Sequence, residues 1–389
     1  MLIKSKDKDF HNLLGNSYAD NNSFDSAIKS YLKAIVLDDK YDDAYRNIGL
    51  AYIDLGQHNK ADEYFKTAYL LKYGSTYKSL STDYLQYDFS EKSKSIVTGS
   101  HKLKHDIEQI NHLLGQKLLP NYFNKVIENY KEILLEISTK SSEFLVELTE
   151  NQKKLIDSSY DRNLHLQDTE FLKPSAINQN NDFSKISDLY FDNKPSFIYF
   201  DDFLSIEALE KIQSFCLNST IWHEYKRDRG YLASYMNNGF STPLLYQIAE
   251  EIKNKLPNIF KNYDLMNMWA FKYDSQMSGV VAHADQAMIN LNFWITTDLA
   301  NKDKESGGMV IYDIEAPKEW DFEKYNSDTN LIHEFLKNNN ANKIIIPYKQ
   351  NRVVIFNSGL FHETDKYLFK EGYENRRINI TMLFGKKES

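Results

Sequence analysis

His283, Ala284 and Asp285 form an H-x-D triplet, and a third potential ligand, His362, ends the run Asn357-Ser-Gly-Leu-Phe-His362. Two histidines and one carboxylate on one side of a metal make the facial ligand set of a non-heme Fe(II) site. Such a set leaves three coordination positions open for a co-substrate and O2. Arg377 follows His362 by fifteen positions (377 − 362 = 15) and opens the strand-like run Arg377–Phe384. A guanidinium pairs bidentately with a carboxylate, so an arginine placed there suits the far carboxylate of 2-oxoglutarate. An H-x-D triplet by itself is a weak signal. Its weight comes from the order of the four residues and from the elements that carry them.

Those elements begin near residue 195. Phe197–Phe200 reads as a strand, and Ser205 caps a helix. A second helix begins at Pro243, a residue suited to a first helical turn, and runs to Lys255. Strand-like runs then dominate, at 268–273, 287–296, 308–312, 343–348, 352–357 and 377–384. Successive side chains of a strand point to opposite faces. Arg377, Asn379 and Thr381 therefore share one face, and Ile378, Ile380 and Met382 the other. Asn290, Asn292 and Trp294 stand likewise against Leu291, Phe293 and Ile295. A polar row opposite an apolar row is expected of a barrel strand whose interior holds a polar ligand. This alternation sends Arg376 outward and makes its replacement nearly silent.

Four features make residues 195–386 resemble the Fe(II)/2-oxoglutarate-dependent dioxygenases, in particular the prolyl-hydroxylase-like branch. They are Tyr273 followed after nine residues by His283-x-Asp285, the Ser306–Tyr312 turn and strand, the Ile355–His362 run, and Arg377-x-x-Ile-Thr381. The resemblance implies a double-stranded β-helix, or jelly roll, with Fe(II) on His283, Asp285 and His362. It implies 2-oxoglutarate on Arg377, with Tyr273, Asn292 and Thr381 completing the co-substrate site, and ascorbate as a stimulant. Hydroxylation of a protein, a peptide or a small molecule is the activity it implies. The spacing from His362 to Arg377 is longer than the family's usual spacing, with residues 366–373 as an enlarged loop. That leaves Arg376 as the rival to Arg377. Two other classes stand beside this one: a scaffold with a catalytically idle barrel, and a cupin-like metalloenzyme that does not use 2-oxoglutarate.

The first part of the chain repeats. Leu14-Gly15, Tyr18, Ala27, Tyr31 and Ala34 recur as Ile48-Gly49, Tyr52, Ala61, Phe65 and Ala68, each shifted by 34. This resembles the tetratricopeptide repeat, in which a small-residue face lets two helices approach and an aromatic fills the groove. His11 and Tyr45 stand at the family's tryptophan position, and its usual proline is missing. Two repeats need stacked neighbours to bury a core. Leu103, Ile107, Ile110 and Leu113, then Val126, Tyr130 and Ile133, supply helical spacing for such a cap, with a break at Pro120. A dimerisation helix pair is the alternative use of this segment. The expected organisation is multidomain α + β: two repeats at 8–75, a helical spacer at 76–165, a polar linker at 166–194 and the oxygenase domain at 195–389. Helices first and short strands after fit a solenoid followed by a jelly roll.

The net charge of −8 argues against nucleic acid or an anionic membrane as the main partner. The repeats instead suggest a protein or peptide partner, and a homodimer is a further expectation. A single cysteine, Cys216, excludes an intrachain disulfide framework and fits the reducing cytoplasm. Its apolar setting reads as core. His11, His58, His101, His105, His112 and His165 fall in helical or linker segments and read as exposed. His223 reads as a residue of the substrate mouth, and His333 as a rival distal ligand. The insertion near 315–342 reads as a lid or substrate loop, with Trp320, Phe322 and Tyr325 on the barrel rim.

Overall fold

A computed structural model describes residues 7–74, 96–140, 145–226, 231–275 and 279–387. The N-terminal part is two helical hairpins, α1 (Lys8–Asp20) with α2 (Phe24–Leu37) and α3 (Asp42–Asp54) with α4 (His58–Tyr73). Their period follows from close approach. A Cβ at Gly15 would collide with the Tyr31 ring, and one at Gly49 with the Phe65 ring. Each hairpin therefore needs the glycine for the aromatic to lie flat on the partner helix.

The next described segment holds a short antiparallel ladder, β1 (Val97–Thr98) with β2 (Val146–Glu147). It also holds α5 (Ser100–Gly115), α6 (Phe123–Lys140) and α7 (Glu150–Ile156). Leu103, Ile107, Ile110, Phe123, Val126, Tyr130 and Ile133 form their common core. Helices occur where the spacing predicts them, but with a core of their own: α5 covers the barrel, and the second repeat packs on the barrel's core instead of being capped by these helices. The stretch 75–95 of the expected spacer lies outside the described residues.

The segment 166–194 differs from a linker. It contains α8 (Phe183–Asp192) and places Leu172, Ala176, Ile177, Ile186 and Tyr190 in one core with the barrel and helices. The carboxylate of Glu251 accepts hydrogen bonds from the backbone N–H of Ala176 and of Ile177, both at 3.0 Å. Local polarity suggested solvent, but a partner 74 and 75 residues away satisfies this backbone.

A seven-stranded antiparallel sheet follows, in the order β3-β10-β7-β12-β6-β5-β4. Its strands are β3 (Phe197–Phe200), β4 (Glu224–Lys226), β5 (Tyr231–Tyr235), β6 (Leu265–Tyr273), β7 (Ile289–Trp294), β10 (Val353–Asn357) and β12 (Arg377–Phe384). A three-stranded sheet, in the order β11-β8-β9, faces it: β8 (Met309–Glu315), β9 (Lys343–Ile346) and β11 (Leu360–Thr364). This is a double-stranded β-helix with a helical flank of α9 (Ile206–Asn218), α10 (Pro243–Lys255) and α11 (Pro257–Phe260). Two more helices, α12 (Phe322–Asn326) and α13 (Thr329–Asn338), interrupt the path from β8 to β9.

The larger sheet is buried on both faces. Met268, Ala270, Leu291, Phe293, Ile378, Ile380 and Met382 pack toward α9 and α10. Tyr273, Trp294, Val354 and Phe356 pack toward Met309, Ile311, Ile346 and Leu360 of the smaller sheet. The second repeat joins the first of these cores through Ile53, Ala61, Phe65, Tyr69 and Tyr73. Cys216 lies in the same core, where burial pushes its thiol up to about 12. Among the described residues no helix is long and apolar enough to cross a membrane.

Charges line the seam between the helical cap and the barrel. Arg376 is buried, its Nε donates to Glu108 of α5 at 2.8 Å, and Asp274 lies 3.8 Å from its Nη2. It points away from the cleft but not into water, because α5 covers that face. The Lys272 side-chain nitrogen, fully buried, sits 3.5 Å from the centre of the Tyr373 ring, and burial pushes its pKa well below the usual lysine range. His105, expected to be exposed, is completely buried beside Tyr373. The other five helical and linker histidines are partly covered. His223 is far from a substrate mouth in its role: it stacks on Tyr73 at 3.7 Å and bonds the Tyr69 hydroxyl at 3.1 Å. Arg376→Met should therefore destabilise the protein by about 2 kcal/mol, the worth of a hydrogen bond to a charged group. Chemical denaturation measures this, and a midpoint equal to wild type would contradict the anchoring role.

Candidate metal and carboxylate site

The cleft lies between the two sheets and opens to solvent. Its wall carries Trp269, Phe271 and Tyr273 from β6, Asn292 from β7, Met309 from β8, and Arg377, Asn379 and Thr381 from β12. His283 and Asp285 come from the β6–β7 connection, and His362 from β11. Every residue expected at the site is brought to this one cleft. His333 is not: it is exposed on α13.

Backbone pairing sets the spacing of the three potential ligands. His283 N–H donates to the His362 carbonyl at 3.0 Å, and His362 N–H returns a bond to the His283 carbonyl at 2.9 Å. Asp285 N–H donates to the Ser358 carbonyl at 3.1 Å. Nε2 of His283 lies 3.5 Å from Oδ1 of Asp285, and Nε2 of His362 lies 3.4 Å from its Oδ2. One ligand atom from each residue lies within 4.8 Å of the others, and this is the group of three among the described residues that could hold a metal ion.

The imidazole tautomers follow from the hydrogen bonds. Nδ1 of His283 faces the Val281 carbonyl at 2.9 Å, and Nδ1 of His362 faces the Leu360 carbonyl at 3.1 Å. A carbonyl only accepts, so each Nδ1 carries a proton, and Nε2 is the ring nitrogen that faces Asp285 and could ligate a metal. Burial, then the charge of His283, lowers the pKa of His362 and favours its neutral ring. Burial raises the Asp285 carboxyl, but the two histidines outweigh it and hold the group below the usual carboxylate range. Asn290 donates its side-chain N–H to Asp285, and Asn292 donates in turn to Asn290. Asn292 then accepts from Asn379 at 3.0 Å and from Thr381 at 2.6 Å.

Arg377 is the feature that asks for a ligand. It is 2% exposed. Its Nε donates to the Gly307 carbonyl at 2.7 Å and its Nη2 to the Gly308 carbonyl at 2.8 Å. Tyr273 packs on the guanidinium, 4.9 Å from its carbon to the ring centre. Nη1 is buried with no hydrogen-bond partner. A buried charge-bearing donor left unmatched is costly. Two neutral carbonyls fix the orientation of the guanidinium without neutralising it. A carboxylate ligand would satisfy both needs.

Asn290, Trp269 and Phe271 enter the site without having been assigned a role in it. Asn290 stood on the polar face of β7, but alternation alone could not show that it reaches Asp285. Trp269-x-Phe271-x-Tyr273 carries a period-two aromatic signal that marks one face of β6. The Gly307 and Gly308 carbonyls have no side-chain signature.

Comparison with known proteins finds matches of two kinds. A TPR repeat model matches residues 15–56, and a tetratricopeptide repeat model matches residues 42–74. No curated protein matches the chain. Solved structures match its C-terminal part. A Pseudomonas putida prolyl-4-hydroxylase is 11% identical, with TM-score 0.36, over 53% of this chain and 100% of that one. The carbocyclase SnoK of nogalamycin biosynthesis, described as non-heme and α-ketoglutarate dependent, is 10% identical, with TM-score 0.39, over 54% and 87%. HygX from Streptomyces hygroscopicus, with nickel, 2-oxoglutarate and hygromycin B bound, is 10% identical, with TM-score 0.36, over 51% and 86%. The N-terminal part is thus a pair of tetratricopeptide repeats, and the C-terminal matches are to 2-oxoglutarate–Fe(II) oxygenases.

His283→Ala and Asp285→Ala should each abolish stoichiometric Fe(II) binding while circular dichroism stays that of wild type. Metal content is read by elemental analysis after anaerobic loading. Wild-type metal content in either variant would contradict the assignment.

Proposed function

We propose that the protein is an Fe(II)- and 2-oxoglutarate-dependent oxygenase whose tetratricopeptide repeats engage a partner. The observation that carries this reading is the pairing, in one cleft, of a His-Asp-His cluster with a buried arginine lacking a hydrogen bond at Nη1. Each half alone has commoner explanations. Together they match a small dicarboxylate that meets a metal at one end and a guanidinium at the other.

In this reading Nε2 of His283, a carboxylate oxygen of Asp285 and Nε2 of His362 hold the metal. Asn290 fixes the Asp285 carboxylate, and the Nδ1 bonds fix both rings. Arg377 takes the far carboxylate of 2-oxoglutarate, with Tyr273 packed on its guanidinium. Thr381 and Asn292 supply polar contacts along the molecule. Bound Fe(II) would supply redox chemistry: 2-oxoglutarate, O2 and a substrate C–H yield succinate, CO2 and a C–OH, one oxygen atom going to each organic product. Trp269, Phe271 and Val280 narrow the cleft and limit water around the reacting centre.

Hydroxylation is the outcome proposed, on a protein, a peptide or a small molecule, with ascorbate as a stimulant of turnover. The exposed Leu13, Leu32 and Val36 on α1 and α2 give the repeats apolar surface for a protein or peptide partner or for a second copy in a homodimer. The buried, unreactive Cys216 supports a reducing, cytoplasmic setting. The domain boundaries near 75, 165 and 194 are proposed without a cleavable linker at 166–194, since the second repeat and 166–194 share the barrel's core.

Succinate formation from 2-oxoglutarate should appear in Fe(II)-loaded protein and be absent from metal-free protein. Arg377→Met should raise the apparent KM for 2-oxoglutarate roughly 30- to 1000-fold, the effect of removing one partner of a buried charged pair. Iron content should stay that of wild type. An unchanged KM would assign the carboxylate to another group, and no succinate from loaded wild type would overturn the oxygenase reading.

A further inference from the structure

The insertion between β8 and β9 does not stand over the cleft mouth as a free lid. Tyr325, Ile332 and Leu336 are buried in a cluster with Ala282, Ala284 and Phe361. Those three last residues flank the proposed metal ligands in sequence: Ala282 and Ala284 on either side of His283, and Phe361 just before His362.

The contacts are specific on both arms. Ala284, between His283 and Asp285, has both backbone groups taken by α12. Its N–H donates to the Tyr325 carbonyl at 2.9 Å, and its carbonyl accepts from Nδ2 of Asn326 at 2.9 Å. Ala284 is completely buried, so water cannot replace either bond. On the other arm, the Phe361 ring meets Trp320 at 6.2 Å and Phe335 at 5.9 Å, and those two rings meet each other at 5.1 Å. Ala316 N–H also donates to the Gly359 carbonyl at 2.8 Å. One insertion thus grips the H-x-D connection and the strand that carries His362.

We propose that this insertion is a brace that sets metal affinity and geometry, with Asn326 as a positioning residue; the inference rests on the metal site proposed above. The physical reason lies in the H-x-D connection. It is tied to β11 through a single bridge at His283, so the pitch of the peptide planes around Ala284 rests on few bonds. Ala284 is the hinge between two ligands. Rotating its peptide groups swings the His283 ring and the Asp285 carboxylate apart. The side-chain amide of Asn326 and the Tyr325 carbonyl hold those groups from outside the cleft, where they touch neither metal nor substrate.

Anaerobic Co(II) titration tests this, because Co(II) visible absorption reports ligand geometry and not merely folding. Asn326→Leu keeps the side-chain size and removes the donor. It should weaken Co(II) at least tenfold, in the range of about 10- to 100-fold found for partners that orient metal ligands. It should also change the Co(II) spectrum, while the metal-free melting temperature falls by only a few degrees. Trp320→Ala, half-buried on the other arm, should do the same, and it decides the matter if Asn326→Leu does not fold. Glu334→Gln, on the exposed side of α13, should bind Co(II) as wild type does. Wild-type affinity and spectrum in Asn326→Leu, or in Trp320→Ala where that variant decides, would overturn the brace and leave the metal site standing. Wild-type protein that takes up no Co(II) would overturn both.

Discussion

The register of β12 is the constraint on which the rest of the molecule depends. One strand serves two interiors at once. Ile378, Ile380 and Met382 enter the core against the helices, and Arg377, Asn379 and Thr381 enter the cleft. A slip of one residue would exchange the two sets and bury three polar side chains in an apolar core. Antiparallel pairing holds the register on both sides, with Arg377 opposite Tyr273 on β6 and Thr381 opposite Asn292 on β7. Arg376, one residue earlier, is pinned from the other face by Glu108. The helical cap therefore contributes to placing a cleft residue that it never touches.

The same economy governs the ligand cluster. His283 and His362 are joined through their own backbones, and each ring is turned by a carbonyl two residues before it. Asp285 is aimed by Asn290, which Asn292 holds in turn. These are neutral donors and acceptors, so they orient the ligands without competing for the metal's charge. Arg377 brings a buried guanidinium to the cleft, where aromatic rings and two carbonyls hold it but do not neutralise it.

Much of this is legible in the sequence, for identifiable reasons. The 34-residue period follows from the Gly15–Tyr31 and Gly49–Phe65 contacts, which constrain residue type directly. The helix Pro243–Lys255 and the strand Phe197–Phe200 carry their own boundary signals and occur where expected. Alternation along β12 sorted its side chains to the correct faces. What local pattern could not reveal depends on distant partners. β11 is not among the strands the sequence predicts, although His362 lies on it, because its partners, β8 and the bridge at His283, are distant in sequence. The burial of His105 and Arg376 depends on α5 docking over the barrel. The packing of 166–194 depends on Glu251. The insertion's role depends on Asn326 meeting Ala284, 42 residues away.

The central claim is that one small molecule bridges the metal cluster and Arg377. Calorimetric titration of 2-oxoglutarate into anaerobic, Mn(II)-loaded protein and into metal-free protein tests it most directly, since it needs no knowledge of the substrate. A bridging ligand must bind cooperatively with the metal, so the account predicts an affinity at least tenfold higher in the loaded protein, with Mn(II) affinity raised by the same factor when 2-oxoglutarate is present. Equal affinity in the two forms would contradict it.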